Sequence, residues 1–189
     1  MIKGFKELTT DRSDEQILLL LREPATKEKG FRVMMDTYKE RIYWHIRRLV
    51  VLHEDTEDIL QETFINAYRF IGSFNGKSKI YTWLYRIATN ECIRLLRNRK
   101  KMKQNIEELT AKHTLKLSTT DMESGDEILV KFQNAILRLP EKQRLVFTLR
   151  YYDDLPYEEI CYILKTSVNA LKTNYHYAQE KIKQHMLNS

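Results

Sequence analysis

The chain contains few of the residues that break helices and make tight turns. Its 189 residues include five Gly and three Pro, whereas a sheet with many tight turns needs more of both. Apolar residues instead recur at intervals of three and four, which places them on one face of an α-helix. The sequence therefore predicts an all-α protein.

Two blocks of helical periodicity are separated by a stretch that has none. In the first block we predict a short helix opening at the capping-box sequence Ser13–Gln16, and a second from about Glu28 to Leu52. The second has a core-facing stripe of apolar residues spaced at three and four: Phe31, Met34, Met35, Tyr38, Ile42, Ile46 and Leu49. A third helix is predicted with Asp55 as its N-cap and Gly72 at its end. A fourth runs from Ile80 to about Met102.

The stretch between the blocks, residues 105–126, is acidic and has no sustained period. This composition predicts a flexible linker. The expected organisation is two small helical domains, residues 1–104 and 127–189, on either side of it.

Near the end of the second block, two short helices are predicted to meet at Lys165-Thr166-Ser167, the shape of a helix-turn-helix. The second of these helices would start behind Ser167, an N-cap residue type. Its inward stripe is Leu171, Tyr175, Ala178 and Ile182. Its opposite face is polar and rich in donors, with Asn169, Lys172, Thr173, Asn174, His176, Tyr177 and Lys181.

This polar face is a candidate DNA surface, because the second helix of such a motif enters the major groove. Asn169 and Asn174 can each pair bidentately with adenine, and Lys172 can meet phosphate or guanine. A solvated helix face is the alternative interpretation.

The fourth helix is a second nucleic-acid candidate. Trp83, Arg86, Asn90 and Arg97 fall on one side of it, and a run of cations that includes Arg94 follows. Basic side chains beside exposed aromatic rings, here Tyr81, Trp83 and Tyr85, are typical of single-stranded DNA binding. The alternative keeps Trp83 in the core and makes the basic run a solvated helix end.

The third helix carries five carboxylates in EDTEDILQETF, residues 54–64, although the chain has a formal charge of +6. Leu60, Phe64, Ala67 and Ile71 form its inward stripe. Asp58, Glu62 and Ile65 then point outward together, with Gln61 beside them. Acidic residues around an exposed apolar side chain predict an interface with a basic protein surface. DNA would be repelled from it.

Composition excludes several other classes. The longest apolar run, Ile17–Leu21, is too short to cross a bilayer, and the N-terminus lacks the features of a secretory signal, so we expect a cytoplasmic protein. Cys92 and Cys161 are far apart and have no metal-ligand spacing, so neither a disulfide nor zinc is predicted.

An enzyme is not expected either. A hydrolase or nuclease with Asp55, Asp58 and Glu62 as metal ligands would lack a histidine, a nucleophile with its base and a phosphate-binding glycine loop. No cofactor is predicted.

Three segments in order resemble bacterial sigma factors. DTEDILQETF resembles their polymerase-binding segment, and IYTWLYRIATNECIRLLRNRKK resembles their promoter-melting helix. LPEKQRLVFTLRYYDDLPYEEICYIL followed by SVNALKTNYHYAQEK resembles their C-terminal helix-turn-helix domain. The short length, with two domains and a linker, resembles the extracytoplasmic-function group.

The resemblance implies a transcription initiation factor. It gives the third helix a role in docking on the clamp helices of the RNA polymerase largest subunits, through Asp55, Asp58, Gln61, Glu62 and Ile65. It makes the linker a segment that threads the RNA exit path. It also implies an anti-sigma factor as a partner.

The resemblance also implies two promoter contacts. Opening of the minus-ten element is implied for the fourth helix, through Trp83, Arg86, Asn90, Arg94 and Arg97. Recognition of the minus-thirty-five element is implied for the last helix, through Ser167, Asn169, Ala170, Lys172, Thr173, Asn174 and Tyr177.

The sequence departs from the family pattern at four positions. The family usually has Ala at Thr56, Gly at Lys165, and Arg at Asn174 and Tyr177. Without Gly, Lys165 must adopt a left-handed conformation or the turn must change, and without the two arginines no promoter sequence can be predicted. A conventional helix-turn-helix regulator that acts without polymerase is the competing hypothesis.

Overall fold

The computed structural model describes residues 14–109 and 127–188. All regular secondary structure in these ranges is helical, and they contain no strand. They form α1 (Asp14–Arg22), α2 (Lys27–Val50), α3 (His53–Phe70), α4 (Ile80–Leu109), α5 (Glu127–Leu137), α6 (Glu141–Phe147), α7 (Tyr157–Leu164) and α8 (Val168–Asn188). The all-α prediction is confirmed.

The chain divides into two compact units between Glu91 and Cys92, within α4. Because α4 continues to Leu109, the first residues of the predicted linker, 105–109, are helical. The rest of that linker, like Ser13, lies outside the described residues. The domain limits at residues 104 and 127 stay predictions.

In the first unit, α1 and α2 approach each other closely at Gly30. A Cβ atom on Gly30 would lie 2.8 Å from the Cβ of Leu20 and 2.9 Å from the backbone N of Leu21, distances at which atoms clash. Thr26 ties the same corner by donating its hydroxyl to the carbonyl of Leu20 at 2.9 Å. The predicted stripe of α2 is buried at Met34, Tyr38, Ile42, Ile46 and Leu49.

The turn from α2 to α3 has an unusual backbone. Val51 has φ 72° and ψ −45°, and the N–H of Leu52 donates to the carbonyl of Val50 at 2.9 Å. This is a γ-turn with a β-branched residue at positive φ, a strained arrangement. It starts α3 earlier than predicted: the N-cap is Leu52, so Asp55 lies in the first turn and its assignment as N-cap is wrong.

The N-terminus of α4 is capped by a residue of α1, far away in the sequence. The carboxylate of Asp14 accepts the N–H of Ile80 at 2.8 Å and the hydroxyl of Tyr38 at 2.5 Å. Burial and this carboxylate raise the pKa of Tyr38 well above its ordinary value, so the hydroxyl remains a donor. One side chain thereby joins three helices.

The second unit packs α5, α6 and α8 around one apolar cluster. Its buried members are Ala135, Ile136, Leu139, Phe147, Ala178 and Ile182, with Phe132, Tyr152, Tyr175 and Met186 packed against them. After Pro140 the chain forms α6, which is followed by a π-helical turn, Thr148–Tyr152.

The predicted helix-turn-helix is confirmed as α7 and α8. Lys165 adopts the left-handed conformation, with φ 50° and ψ 50°, so the turn keeps its geometry without Gly. The hydroxyl of Ser167 accepts the N–H of Ala170 at 3.4 Å, as expected of an N-cap residue. Leu171, Ala178 and Ile182 are buried and Tyr175 is half-buried, as the stripe predicted.

Candidate polymerase and promoter interfaces

The outward face of α3 has the composition that the sequence predicted. Asp58 and Gln61 are exposed, and Asp55 and Glu62 are half-buried. Ile65 is 37% exposed. The stripe beneath, Leu60, Phe64, Ala67 and Ile71, is buried.

Beside this face lies a groove between α2 and α3 that the sequence did not reveal. It has a volume of about 530 Å³. Its walls are apolar or aromatic at Phe31, Met35, Leu60, Phe64, Ile65 and Tyr68, and its polar lining is Lys39, Glu57, Asp58, Gln61 and Arg69. Phe31 and Met35 were predicted as core-facing and are only half-buried. The sequence feature that could have indicated this groove is the apolar stripe of α2, which is wider than one packing face requires.

The carboxylate of Glu62 is held in place by a hydrogen bond from Asn66. The side-chain N–H₂ of Asn66 donates to Glu62 at 3.2 Å and to Glu91 of α4 at 3.3 Å. The amide therefore fixes the Glu62 carboxylate near that of Glu91, and it links α3 to α4.

The structure contradicts the prediction of exposed aromatic rings on α4. Trp83 is 8% exposed and Tyr85 is 0% exposed, and the Trp83 ring packs against Phe74 with centroids 5.2 Å apart. Tyr85 packs against His45, with centroids 4.5 Å apart. These rings belong to the core, so Trp83 is not a surface on which a base can stack.

The polar residues of α4 lie further along the helix. Arg86 is half-buried, and Asn90, Arg94 and Arg97 are exposed. Their spacing of four, four and three places them on one face. They continue the side of α4 on which Trp83 lies, but unlike its buried ring they are at least partly accessible. We call these four residues the α4 strip.

The sequence did not predict a cluster of basic and aromatic side chains at the start of α4. The guanidinium carbon of Arg41 lies 4.6 Å from the centre of the Tyr81 ring, and the Lys79 ammonium donates to the Tyr81 hydroxyl at 3.4 Å. Tyr81 is half-buried. Arg41 comes from α2, and this long-range contact left no pattern in the sequence.

On α8 the predicted residues share one accessible surface. Ser167, Asn169, Lys172, Thr173 and Tyr177 are exposed, whereas Ala170 and Asn174 are half-buried. Two side chains also bond within the helix: Thr173 donates to the carbonyl of Asn169 at 2.9 Å, and Asn174 donates to that of Ala170 at 2.7 Å. The Asn174 amide keeps one N–H and its oxygen for another partner.

Within the described part of the chain, no three His, Cys, Asp or Glu side chains are grouped so that they could hold a metal ion. Among the same residues, no helix is long and apolar enough to span a membrane.

Two family models match the chain. Residues 34–102 match Sigma-70 region 2, and residues 129–182 match Sigma-70, region 4. The first match covers α3 and most of α4, and the second covers the helix-turn-helix.

Curated relatives match over most of their length. The ECF RNA polymerase sigma factor SigW of Bacillus subtilis is 34% identical over 168 residues, which is 84% of this chain and 90% of the relative. The RNA polymerase sigma-H factor of Pseudomonas aeruginosa is 32% identical over 188 residues, with coverage of 93% and 94%. The ECF RNA polymerase sigma-E factor of Escherichia coli K12 is 31% identical over 174 residues, with coverage of 87% and 91%.

Two solved structures share the fold. The sigma factor RpoE of Bartonella quintana, in complex with the anti-sigma factor NepR, superposes with a TM-score of 0.67 at 22% identity, over 84% of this chain and 97% of that one. CnrH, in complex with the cytosolic domain of CnrY, gives 0.66 at 18% identity, over 91% and 96%.

A helix-turn-helix regulator that acts without polymerase is not favoured, because it would not account for the region 2 match over residues 34–102. The chain belongs to the extracytoplasmic-function group of RNA polymerase sigma factors, the initiation factors that bind core RNA polymerase and direct it to specific promoters.

Proposed function

We propose that the chain divides this activity among three surfaces. The α3 face, made of Asp55, Asp58, Gln61, Glu62 and Ile65, binds core RNA polymerase. The α4 strip contacts the melted minus-ten element. The exposed face of α8 recognises the minus-thirty-five element through Ser167, Asn169, Ala170, Lys172, Thr173, Asn174 and Tyr177.

The main support for polymerase binding by the α3 face is the groove between α2 and α3. Its apolar walls, including Phe31 and Ile65, offer an open cleft in which an apolar side chain can bind. Its polar lining holds the acids Glu57 and Asp58 and the bases Lys39 and Arg69. Asp55 and Glu62 add two more carboxylates to the α3 face, and this acidic excess favours a basic partner. An apolar centre with a charged border is typical of a protein interface.

The proposed promoter surfaces have the opposite charge. The α4 strip has three arginines and Asn90, and the α8 face has Lys172 among amides and hydroxyls. Arginine and lysine neutralise phosphates, while amide side chains can distinguish bases. The carboxylates on α3 therefore face protein while the cations meet DNA.

The proposal also covers the compartment, the domain limits and a protein partner. The chain acts in the cytoplasm and without catalysis, with a domain over residues 1–104, a linker over 105–126 and a domain over 127–189. An anti-sigma factor is an expected partner, since the sigma factor RpoE of Bartonella quintana, which shares the fold, was solved with one.

The test of the polymerase surface is a double charge reversal, Asp58→Lys with Glu62→Lys. Two cations facing a basic partner should cost about 3 kcal/mol or more, so the Kd for core polymerase should rise more than about a hundredfold. The matched control is Glu15→Lys with Glu23→Lys, which changes net charge equally at two exposed positions outside the α3 face. Equal Kd values for both double variants, with circular dichroism unchanged, would refute the assignment.

A further inference from the structure

Three side chains of the second unit meet at the helix-turn-helix. The guanidinium carbon of Arg150 lies 5.5 Å from the centre of the Tyr157 ring. The ammonium of Lys172 lies 5.9 Å from the centre of the same ring. The Tyr157 ring thus lies near two cations from different helical segments, the π-helical turn and α8.

Arg150 and Tyr157 are held in place by their neighbours. Arg150 donates to the carbonyl of Leu155 at 3.1 Å and lies 3.6 Å from the carboxylate of Asp154. Tyr157 is the first residue of α7, and its ring packs edge-on against Tyr175 with centroids 6.5 Å apart. The ring is therefore a fixed surface.

Lys172 is held less firmly. It is exposed, and it follows the buried Leu171 on α8. A lysine side chain has several rotatable bonds, so an exposed one loses conformational freedom when it contacts a ligand. An aromatic face attracts an ammonium by its quadrupole and so restricts Lys172 before the ligand arrives.

We propose that Tyr157 is a positioning residue for DNA, which orients Lys172 and Arg150 toward one stretch of the promoter backbone at the minus-thirty-five element. The inference rests on the proposed function of α8 and adds two residues to it, Tyr157 and Arg150. The ligand is a phosphodiester group, because both cations recognise phosphate without regard to sequence. The carboxylate of Asp154, 3.6 Å from Arg150, opposes this attraction.

The experiment measures holoenzyme binding to promoter DNA at several salt concentrations, for Tyr157→Phe, Tyr157→Leu and Lys172→Ala. Phe keeps the aromatic face, so Tyr157→Phe should match the wild type. Tyr157→Leu should weaken binding roughly two- to fivefold, in line with a cation–π contact at an exposed site. The loss should be equal on matched and mismatched elements. Lys172→Ala should reduce the slope of log affinity against log salt by about one.

A double variant separates positioning from a structural role. If Tyr157 acts through Lys172, the loss caused by Tyr157→Leu should shrink by at least half when Lys172 is already Ala. An undiminished loss would mean that the ring only supports the packing of α7, and it would overturn the proposal. So would a Tyr157→Phe variant as weak as Tyr157→Leu.

The two single variants distinguish this inference from the function it rests on. If Lys172→Ala lowers the salt slope while Tyr157→Leu behaves as wild type, α8 contacts phosphate and only the role of Tyr157 is refuted. If Lys172→Ala changes neither the slope nor the affinity, the phosphate contact of α8 and the role of Tyr157 are both refuted.

Discussion

The two helices proposed to contact DNA are built differently. In α4 four consecutive residues, Thr82 to Tyr85, are buried, so its beginning is enclosed on all sides. In α8 Leu171, Ala178 and Ile182 are buried along one stripe, and Asn169 and Tyr177 stay accessible. Aromatic and basic residues occur in both helices, but the rings of Trp83 and Tyr85 in α4 lie in the core. DNA-facing groups are therefore inferred from exposure and not from composition.

The two helices also depend on different parts of the chain. The first N–H of α4 is bound by Asp14 of α1 at 2.8 Å, and Thr89 contacts the ring of His45 at 2.9 Å. In contrast, α8 is capped by the adjacent Ser167. The position of α4 thus depends on distant partners, whereas the start of α8 is determined locally.

The largest effect expected from this difference is on stability. Trp83→Ala should lower the free energy of unfolding of the first unit by about 3 to 5 kcal/mol, because it removes a buried ring packed on Phe74. The control is Asn90→Ala, exposed on the same helix, which should stay within about 0.5 kcal/mol of wild type. Urea unfolding followed by circular dichroism measures both. Equal effects would mean that Trp83 is not a core residue.

A smaller effect is expected from α8, and on affinity instead. Asn174→Ala should cost about 1 to 3 kcal/mol of binding on the preferred minus-thirty-five element and relax the preference at one or two base pairs. The salt slope should hardly change, unlike that of Lys172→Ala. Binding of the holoenzyme to a set of single-base variants measures this. An unaltered base preference would mean that Asn174 does not enter the major groove of the DNA.

The sequence predicted what depends on local pattern. The stripes of α2 and α8 follow from apolar spacing, and the left-handed conformation of Lys165 was one of two geometries open to a turn without Gly. Ser167 was predicted as a cap because its own helix follows it directly. In these cases the interacting groups lie within a few residues of each other.

What the sequence could not predict depends on tertiary contacts. Asp55 has the residue type of an N-cap, but the γ-turn at Val51 starts α3 earlier. Tyr85 lies beside cations in the sequence, yet His45 of α2 covers its ring. The groove beside Ile65 requires the relative placement of α2 and α3. Each outcome depends on a partner that no local pattern identifies.

The α4 strip is proposed to act on melted DNA, whereas the buried rings of Trp83 and Tyr85 maintain the fold. The most direct test is Asn90→Ala in the holoenzyme, with open-complex formation measured on a duplex promoter and on the same promoter already melted at the minus-ten element. Melting in advance removes a strand-separation cost of about a few kcal/mol. We therefore expect the variant to be impaired on the duplex and to recover part of its activity on the melted template. An equal loss on both templates, or no loss on either, would contradict the account.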